Sequence, residues 1–184
     1  SQNTQKKSQE KFEAVLQKKE KEINLLLEGL KNTYPHAMIS NRDDFLSGTQ
    51  KPPEENGLGV FIYEKDSLVY WSTNTIPFAE HLNLRNESGG RMVWRLKNGW
   101  YEVTRICDSG RIFFGLILLK HEYSFENEYL GNDFQKDFNV SAGTSITTEK
   151  GSILIHSVGG QYLFSLQIPS KAGLSQLKVF LLFL

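Results

Sequence analysis

The sequence predicts an α+β fold, in which a long N-terminal helix is followed by an antiparallel sheet with short helices and a C-terminal hairpin. Three observations support this prediction. They are a helix-forming stretch at the N-terminus, apolar runs of strand length separated by turn residues in the middle of the chain, and two further such runs around Gly159-Gly160. A chain of 184 residues is long enough for one domain with an appendage and a buried core.

The N-terminal stretch, residues 2–32, is rich in Lys, Glu, Gln and Leu, which favour helices, and it contains no proline. Its apolar side chains recur at alternating steps of four and three residues, which is heptad spacing. Lys19 interrupts this stripe. Together with Lys18, Glu20 and Lys21 it belongs to the charged residues that we expect on a solvated face. The stripe that predicts a dimerisation helix consists of Phe12, Leu16, Ile23, Leu26 and Leu30.

Two interpretations of this helix stay open. Because the stripe spans fewer than three full heptads, packing on the sheet of its own domain is favoured over a free coiled coil. The alternative is a pair of such helices in a homodimer, and different turns of one helix can make both kinds of contact. We expect the helix to end before Pro35, since proline disfavours a helical residue in front of it.

The middle of the chain predicts a hairpin followed by a three-stranded meander. Strand-like runs lie at 58–63, 68–72, 91–96, 100–107 and 111–120, with room for one or two short helices between residues 76 and 84. Asn98-Gly99 predicts a type I′ turn with a positive φ at both positions. Apolar side chains occupy both alternating sets of the run 111–120, which predicts a central strand covered on both faces. A last hairpin, 152–157 and 161–168, extends or caps the sheet.

The run 100–107 differs from its neighbours because polar side chains alternate onto both of its faces, as in a strand that lines a pocket. Large amphipathic rings lie on or beside the strands here, and one guanidinium offers bidentate hydrogen bonds to an anionic ligand. The predicted ligand-binding residues are Trp71, Trp94, Trp100, Tyr101 and Arg105. The alternative is that the aromatic rings only fill the core.

Composition and spacing exclude several classes of protein. The 21 Lys and Arg residues balance 21 Asp and Glu residues, and this zero net charge excludes a large nucleic-acid interface. A single cysteine, Cys107, excludes an internal disulfide. The four histidines lack the spacing of a metal site, and no nucleophile, base or phosphate loop forms a catalytic constellation. We therefore expect no enzymatic activity, no metal and no cofactor.

The C-terminal run from Val179 to Leu184 is uninterrupted and apolar. Six residues are far fewer than the roughly 20 that span a bilayer. The run is therefore either the beginning of a transmembrane segment or a last element docked on the core.

Several segments occur in an order that is typical of one family. They are the Lys/Glu-rich helix, the strands at 60–63 and 67–74, the segment 98–101, and the hydrophobic run 115–120 leading into the aromatic segment 123–134. In these segments the chain resembles the extracytoplasmic sensor regions of bacterial two-component sensor histidine kinases with a PAS- or Cache-like fold. The resemblance implies that residues 1–34 form a signalling and dimerisation helix and that residues 35–174 form the PAS/Cache-like sensor domain. It also implies that residues 175–184 begin a membrane-proximal or transmembrane segment.

The resemblance further implies a function and a location. The chain would be a non-catalytic sensing domain on the periplasmic side of the inner membrane, within a homodimeric receptor anchored by its flanking segments. It would pass the binding of a small-molecule or protein signal across the membrane as a change in dimer geometry, to a kinase that lies outside this sequence. The alternative is a periplasmic or secreted carrier of a small molecule, and an enzyme ranks third.

Overall fold

The computed structural model describes residues 2–33, 54–65, 67–78, 90–124 and 131–168. Helix α1 spans Gln2–Thr33, and single turns of 3-10 helix lie at Glu54–Asn56 and Lys136–Phe138. The strands are β1 (Leu58–Glu64), β2 (Ser67–Trp71), β3 (Gly90–Leu96), β4 (Gly99–Asp108), β5 (Arg111–His121), β6 (Ser145–Thr147), β7 (Ile153–His156) and β8 (Tyr162–Gln167). One long helix followed by antiparallel strands confirms the predicted α+β class.

The strands form two antiparallel sheets, one of five strands in the order β2-β1-β5-β4-β3 and one of three in the order β6-β8-β7. The central position of β5 confirms the prediction from its apolar pattern. Phe113 and Ile117 point into the core shared with α1, whereas Phe114 and Leu116 point into a second core on the other face. The predicted C-terminal hairpin is present as β7 and β8, but it joins β6 in a separate sheet.

Helix α1 lies on its own domain, where it contacts β5 of the large sheet and β7 of the small one. Phe12, Leu16, Ile23 and Leu30 of the predicted stripe are buried in this core, and Leu26 packs against it while partly buried. The close approach depends on Gly115 of β5, because a Cβ atom there would lie 2.6 Å from Cγ1 of Ile23 and 2.9 Å from Cδ1 of Leu27.

The expectation of a solvated polar face on α1 is wrong for two residues. Lys19 is 5% exposed, and its Nζ donates to Oδ2 of Asp137 at 2.6 Å and to the carbonyl of Asn56 at 2.7 Å. Glu20 is fully buried, and its Oε2 accepts a 2.6 Å hydrogen bond from the backbone N–H of Val158. Loops of the domain cover these helix turns, and the two charged groups satisfy polar atoms that would otherwise be buried without partners.

The turn between β3 and β4 also differs from its prediction. Leu96 pairs with Gly99, so the turn residues are Lys97 and Asn98, and neither Asn98 nor Gly99 has a positive φ. Gly99 belongs to β4, where a Cβ atom would clash with the backbone carbonyl of Lys120. Positive φ values occur instead in the β4–β5 turn, at 49° for Ser109 and 79° for Gly110. The glycine after Asn98 therefore reflects close strand packing and not turn geometry.

Some predicted features lie outside the described residues. Of the stretch expected to hold short helices, the structure describes residues 76–78, which are not helical. The segments 34–53 and 169–184, which include the apolar C-terminal run, are also outside the described ranges. Within those ranges, no helix combines the length and apolar character needed to cross a membrane.

Candidate functional site

A pocket of about 290 Å³ opens at one end of the five-stranded sheet, mainly on the face turned away from α1. It lies where β1 begins, where β3 turns into β4, and where β5 ends, with the segment after β2 as a further wall. Leu58, Ile76 and Leu118 supply apolar contacts. The polar groups that line it are Thr73, Thr75, Asn98, Tyr101, His121 and Tyr123. A concave apolar surface with a few convergent polar groups is typical of a small-molecule site.

A chain of neutral hydrogen bonds fixes one side of this pocket. The hydroxyl of Tyr101 donates to Oδ1 of Asn98 at 3.0 Å, and Nδ2 of Asn98 donates to the carbonyl of Thr75 at 2.8 Å. The hydroxyl oxygens of Thr73 and Thr75 lie 2.8 Å apart. Burial raises the pKa of Tyr101 well above its ordinary value, so the phenol stays protonated at neutral pH. These bonds tie the β3–β4 turn to the segment that follows β2.

The opposite side is formed by two rings, one on the last residue of β5 and one just beyond it. The rings of His121 and Tyr123 stack with centroids 5.7 Å apart and planes 9° apart, and the Tyr123 hydroxyl lies 3.2 Å from Nδ1 of His121. The backbone N–H of Tyr123 donates to Oδ1 of Asn132 at 2.7 Å. Burial lowers the pKa of His121, although a backbone hydrogen bond to Asn98 and the charge of Asp133 oppose this shift. His121 is therefore neutral at pH 7.

The other face of the sheet carries a buried ionic cluster that joins β3 and β4 to α1. Nη1 of Arg91 donates to Oε1 of Glu102 at 2.5 Å and to Oγ1 of Thr104 at 2.8 Å. Nη2 of the same guanidinium donates to Oδ1 of Asn24 at 3.0 Å, and its Nε lies 3.8 Å from Oε1 of Glu20. Both carboxylates are fully buried. This cluster, Glu20–Asn24–Arg91–Glu102, is called the helix clamp below.

The helix clamp holds two carboxylates against one guanidinium, so one negative charge is in excess. Burial, and then the charge of Glu20, raise the pKa of Glu102 to about 8, against the opposing effect of Arg91. Because Glu20 already accepts the N–H of Val158, we place the extra proton on Glu102. Oε1 of Glu20 and Oε2 of Glu102 have no hydrogen-bond partner among the described heavy atoms. A hydrogen bond from the protonated carboxyl group of Glu102 to Glu20 would satisfy both oxygens.

Of the five predicted ligand-binding residues, Tyr101 alone lines this pocket as the described residues define it. Trp94 is 9% exposed and belongs to an aromatic cluster, with its ring 5.9 Å from that of Phe78 and 6.3 Å from that of Phe114. Arg105 is half-buried on β4, where it pairs with Phe114 across to β5.

The remaining two tryptophans lie elsewhere. Nε1 of Trp71 donates to Oδ1 of Asn74 at 2.6 Å, just beyond the end of β2. Trp100 packs against the core that contains α1, and its Nε1 donates to Oε2 of Glu122 at 2.8 Å. The structure therefore does not bring the five predicted residues together.

Sequence reasoning missed most of the groups that line the pocket. Asn98 was assigned to turn geometry, and His121 and Tyr123 follow a strand without any local motif. Alternation along β5 would place residues 121 and 123 on the α1 face, together with Ile117 and Leu119. The irregular pairing of β4 and β5 between Trp100 and Tyr101 shifts the register there, and no sequence pattern signals this shift. The helix clamp had a weak signal, namely opposite charges at Arg91 and Glu102 on neighbouring predicted strands.

Within the described ranges, no group of three or more His, Cys, Asp or Glu side chains is placed to hold a metal ion. A scan against models of protein families, a search among curated proteins and a search among solved structures each found no match to this chain.

Proposed function

We propose that this chain is the PAS/Cache-like extracytoplasmic sensing domain of a membrane-bound sensor histidine kinase. In this proposal the pocket binds a small-molecule signal, and the domain passes that event to its N-terminal helix as a change in dimer geometry. The five-stranded antiparallel sheet, with a hairpin followed by a three-stranded meander, supports the proposal because it is the layout that the family resemblance implies.

The observation that carries the proposal is the position of two consecutive residues of β4. Tyr101 faces the pocket, and Glu102, whose side chain points to the opposite face, binds Arg91 in the helix clamp. Arg91 in turn binds Asn24 of α1. Since side chains of one strand alternate between faces, a ligand that displaces the backbone at Tyr101 also displaces Glu102. The pocket and the helix are therefore joined through one strand.

Such a connection works by shifting the relative populations of two conformations of the domain. A ligand changes the position of α1 only to the extent that it binds one arrangement of β4 and the helix clamp more tightly than the other. A carrier needs no such difference, because it only has to hold and release its ligand. The two functions therefore differ in what the helix does when the pocket fills.

A spin-label experiment separates them. A nitroxide is attached to Lys18→Cys, an exposed position of α1, in a Cys107→Ser background, because Cys107 is exposed as well. A metabolite library is first screened by thermal shift, and the distance between labels on two copies is then measured with and without each compound that stabilises the protein. For the sensor we expect the distance to change, and we expect Asn24→Ala to reduce this change while Lys21→Ala, at an exposed position of the same helix, preserves it.

The outcomes that contradict the proposal are distinct. Saturable binding that leaves the label distance unchanged would support a carrier. A library without any stabilising compound would contradict a small-molecule pocket of either kind.

Dimerisation is tested separately, since the stripe of α1 is already buried in its own domain. A second helix would have to use other surface, where Leu25 is 75% exposed. We expect sedimentation equilibrium to show a self-associating protein that becomes monomeric in Leu25→Asp. The matched control is Ile168→Asp, at another exposed apolar residue, which should still associate. Ile168 lies beside Ser8 and Lys11, several helical turns from Leu25. Monomeric behaviour of the unsubstituted chain at millimolar concentration would contradict helix pairing through this surface.

A further inference from the structure

The pocket at the end of the sheet has many hydrogen-bonding groups, yet none of its described lining residues carries a formal charge at neutral pH. Its polar atoms belong to hydroxyl groups, one amide and one imidazole. The imidazole is that of His121, whose pKa is lowered by burial. Hydroxyl groups both donate and accept, so these atoms can match a neutral ligand in more than one arrangement.

Three charged side chains that flank this end of β5 in sequence, Lys120, Glu122 and Asp133, are engaged elsewhere or exposed. Oε1 of Glu122 binds Nη2 of Arg95 at 2.5 Å, and its Oε2 binds Nε1 of Trp100, on the opposite face of the sheet. Lys120 donates to the carbonyl of Thr144 at 3.2 Å. Asp133 is exposed, and its charge does not outweigh the effect of burial on His121.

We infer that this pocket selects a small uncharged ligand that has both hydroxyl or amide groups and an apolar face, and that it discriminates against ions of the same size. The inference rests on the proposed function, because it names the class of ligand for the same pocket. It departs from the anionic ligand that Arg105 suggested, since Arg105 is not among the residues around this pocket.

Size and solvation support this class of ligand. A volume of about 290 Å³ lies near the lower end of the range of small-molecule pockets, which fits one ring with its substituents. Leu58, Ile76 and Leu118 match an apolar face, while the hydroxyls of Tyr101 and Tyr123 meet polar groups at its edge. An ion that enters such a site loses its hydration without gaining an opposite charge, whereas a neutral polar group exchanges one hydrogen bond for another.

Matched pairs of fragments test this inference on the whole chain. The pairs are nicotinamide with nicotinate, benzyl alcohol with benzylamine, and glucose with gluconate, so that each neutral compound has a charged analogue of similar size. Binding is followed at pH 7.5 by the backbone amide signals of His121 and Tyr123 in uniformly ¹⁵N-labelled protein. We expect at least one neutral member to bind saturably, with a dissociation constant at least about tenfold lower than that of its charged analogue.

Two variants locate the binding. Tyr101→Phe removes one pocket hydroxyl and should raise the dissociation constant of the neutral fragment by about tenfold. This is the loss expected for one neutral hydrogen bond. Tyr162→Phe removes a hydroxyl from the small sheet, where it hydrogen-bonds Ser165, and should leave binding unchanged. Charged members that bind as tightly as their neutral analogues would overturn the ligand class while leaving the pocket as a sensing site. If no fragment of any charge shifts these signals, the ligand class and the proposed function are both wrong.

Discussion

The two faces of the five-stranded sheet are both largely covered, but they are built differently. On one face α1 packs closely, and the charges there are buried in the helix clamp. On the other face an aromatic cluster around Phe78 and Phe114 leads to a pocket whose described polar groups are neutral. Close packing and paired charges fix the position of a helix, whereas spare volume and uncharged donors allow a ligand to enter. One face of the sheet therefore stabilises the fold, and the other face is able to bind and release a ligand.

The largest expected effect concerns the packed face. Phe12 is 1% exposed and its ring stacks on that of Phe138 at 4.3 Å, so Phe12→Ala removes a fully buried ring and leaves a cavity. We expect the free energy of unfolding to fall by about 3–5 kcal/mol, measured by urea denaturation. The control is Lys18→Ala on the same helix, which should change stability by less than about 0.5 kcal/mol because that residue is exposed. Equal losses in the two variants would contradict the packing of α1 on its domain.

The next effect concerns the helix clamp. Arg91→Leu leaves Glu20 and Glu102 buried without their guanidinium, and we expect a loss of about 3 kcal/mol at pH 7. Adding Glu20→Gln to that variant removes the uncompensated carboxylate, because the extra proton of the cluster is placed on Glu102, and should recover part of the loss. A double-mutant cycle by urea denaturation measures this coupling. Strictly additive losses would show that the two side chains do not interact.

The pH dependence of the same face follows from Glu102. Its pKa is raised to about 8 in the folded protein from an ordinary value of 4.5, so the folded state holds a proton that the unfolded state releases. The stabilising contribution of the protonated carboxyl is complete below pH 4.5 and is lost as the pH rises through about 8. Glu102→Gln has no proton to lose, and its stability relative to the original chain should rise across this window. Parallel pH profiles of the two proteins would contradict the assignment of the proton to Glu102.

The smallest expected effect is the pH dependence of stability that His121 contributes on the pocket face. It is opposite in direction to that of Glu102, because stability is lost as the pH falls. Burial lowers the pKa of His121 below 6.5, so the unfolded state binds a proton more readily than the folded state. The contribution of neutral His121 is complete above pH 6.5 and is lost as the pH falls through the lower folded value. His121→Gln should flatten the stability profile below pH 6.5, with little change above it. We expect a modest effect because the side chain is only half-buried. A steeper loss of stability at acid pH in His121→Gln than in the original chain would contradict the assignment of a neutral imidazole to His121.

The architecture could be predicted from the sequence to the extent that it follows local patterns. The period of α1 and the two apolar faces of β5 are properties of consecutive residues, and the structure confirms both. The short strand β6 escaped prediction because Ser145–Thr147 has neither the length nor the alternation of a strand, and only its pairing with β8 defines it. The turn at Asn98-Gly99 was misassigned because a glycine required for close packing looks the same in sequence as one required for a turn.

The candidate site was less predictable for a related reason. Tyr101 was predicted on the same ground as Trp71, Trp94 and Trp100, as a large amphipathic ring on or beside a strand. Residue type does not specify a face or an end of the sheet, so only one of the four lines the pocket. Asn98, His121 and Tyr123 come together only because the β3–β4 turn and the last residues of β5 meet at one end of the sheet.

By itself, the sequence determined a helix with one apolar stripe, a strongly patterned central strand and the order of the hairpins, since each depends on contacts between near neighbours in the chain. The tertiary structure decided that Lys19 and Glu20 are buried, that Arg91 joins α1 to β4, and that a neutral pocket forms on the opposite face. The physical reason is that burial and charge compensation depend on which segments cover a residue. The covering segments are distant in sequence, since Asp137 lies 118 residues after Lys19 and Val158 lies 138 residues after Glu20.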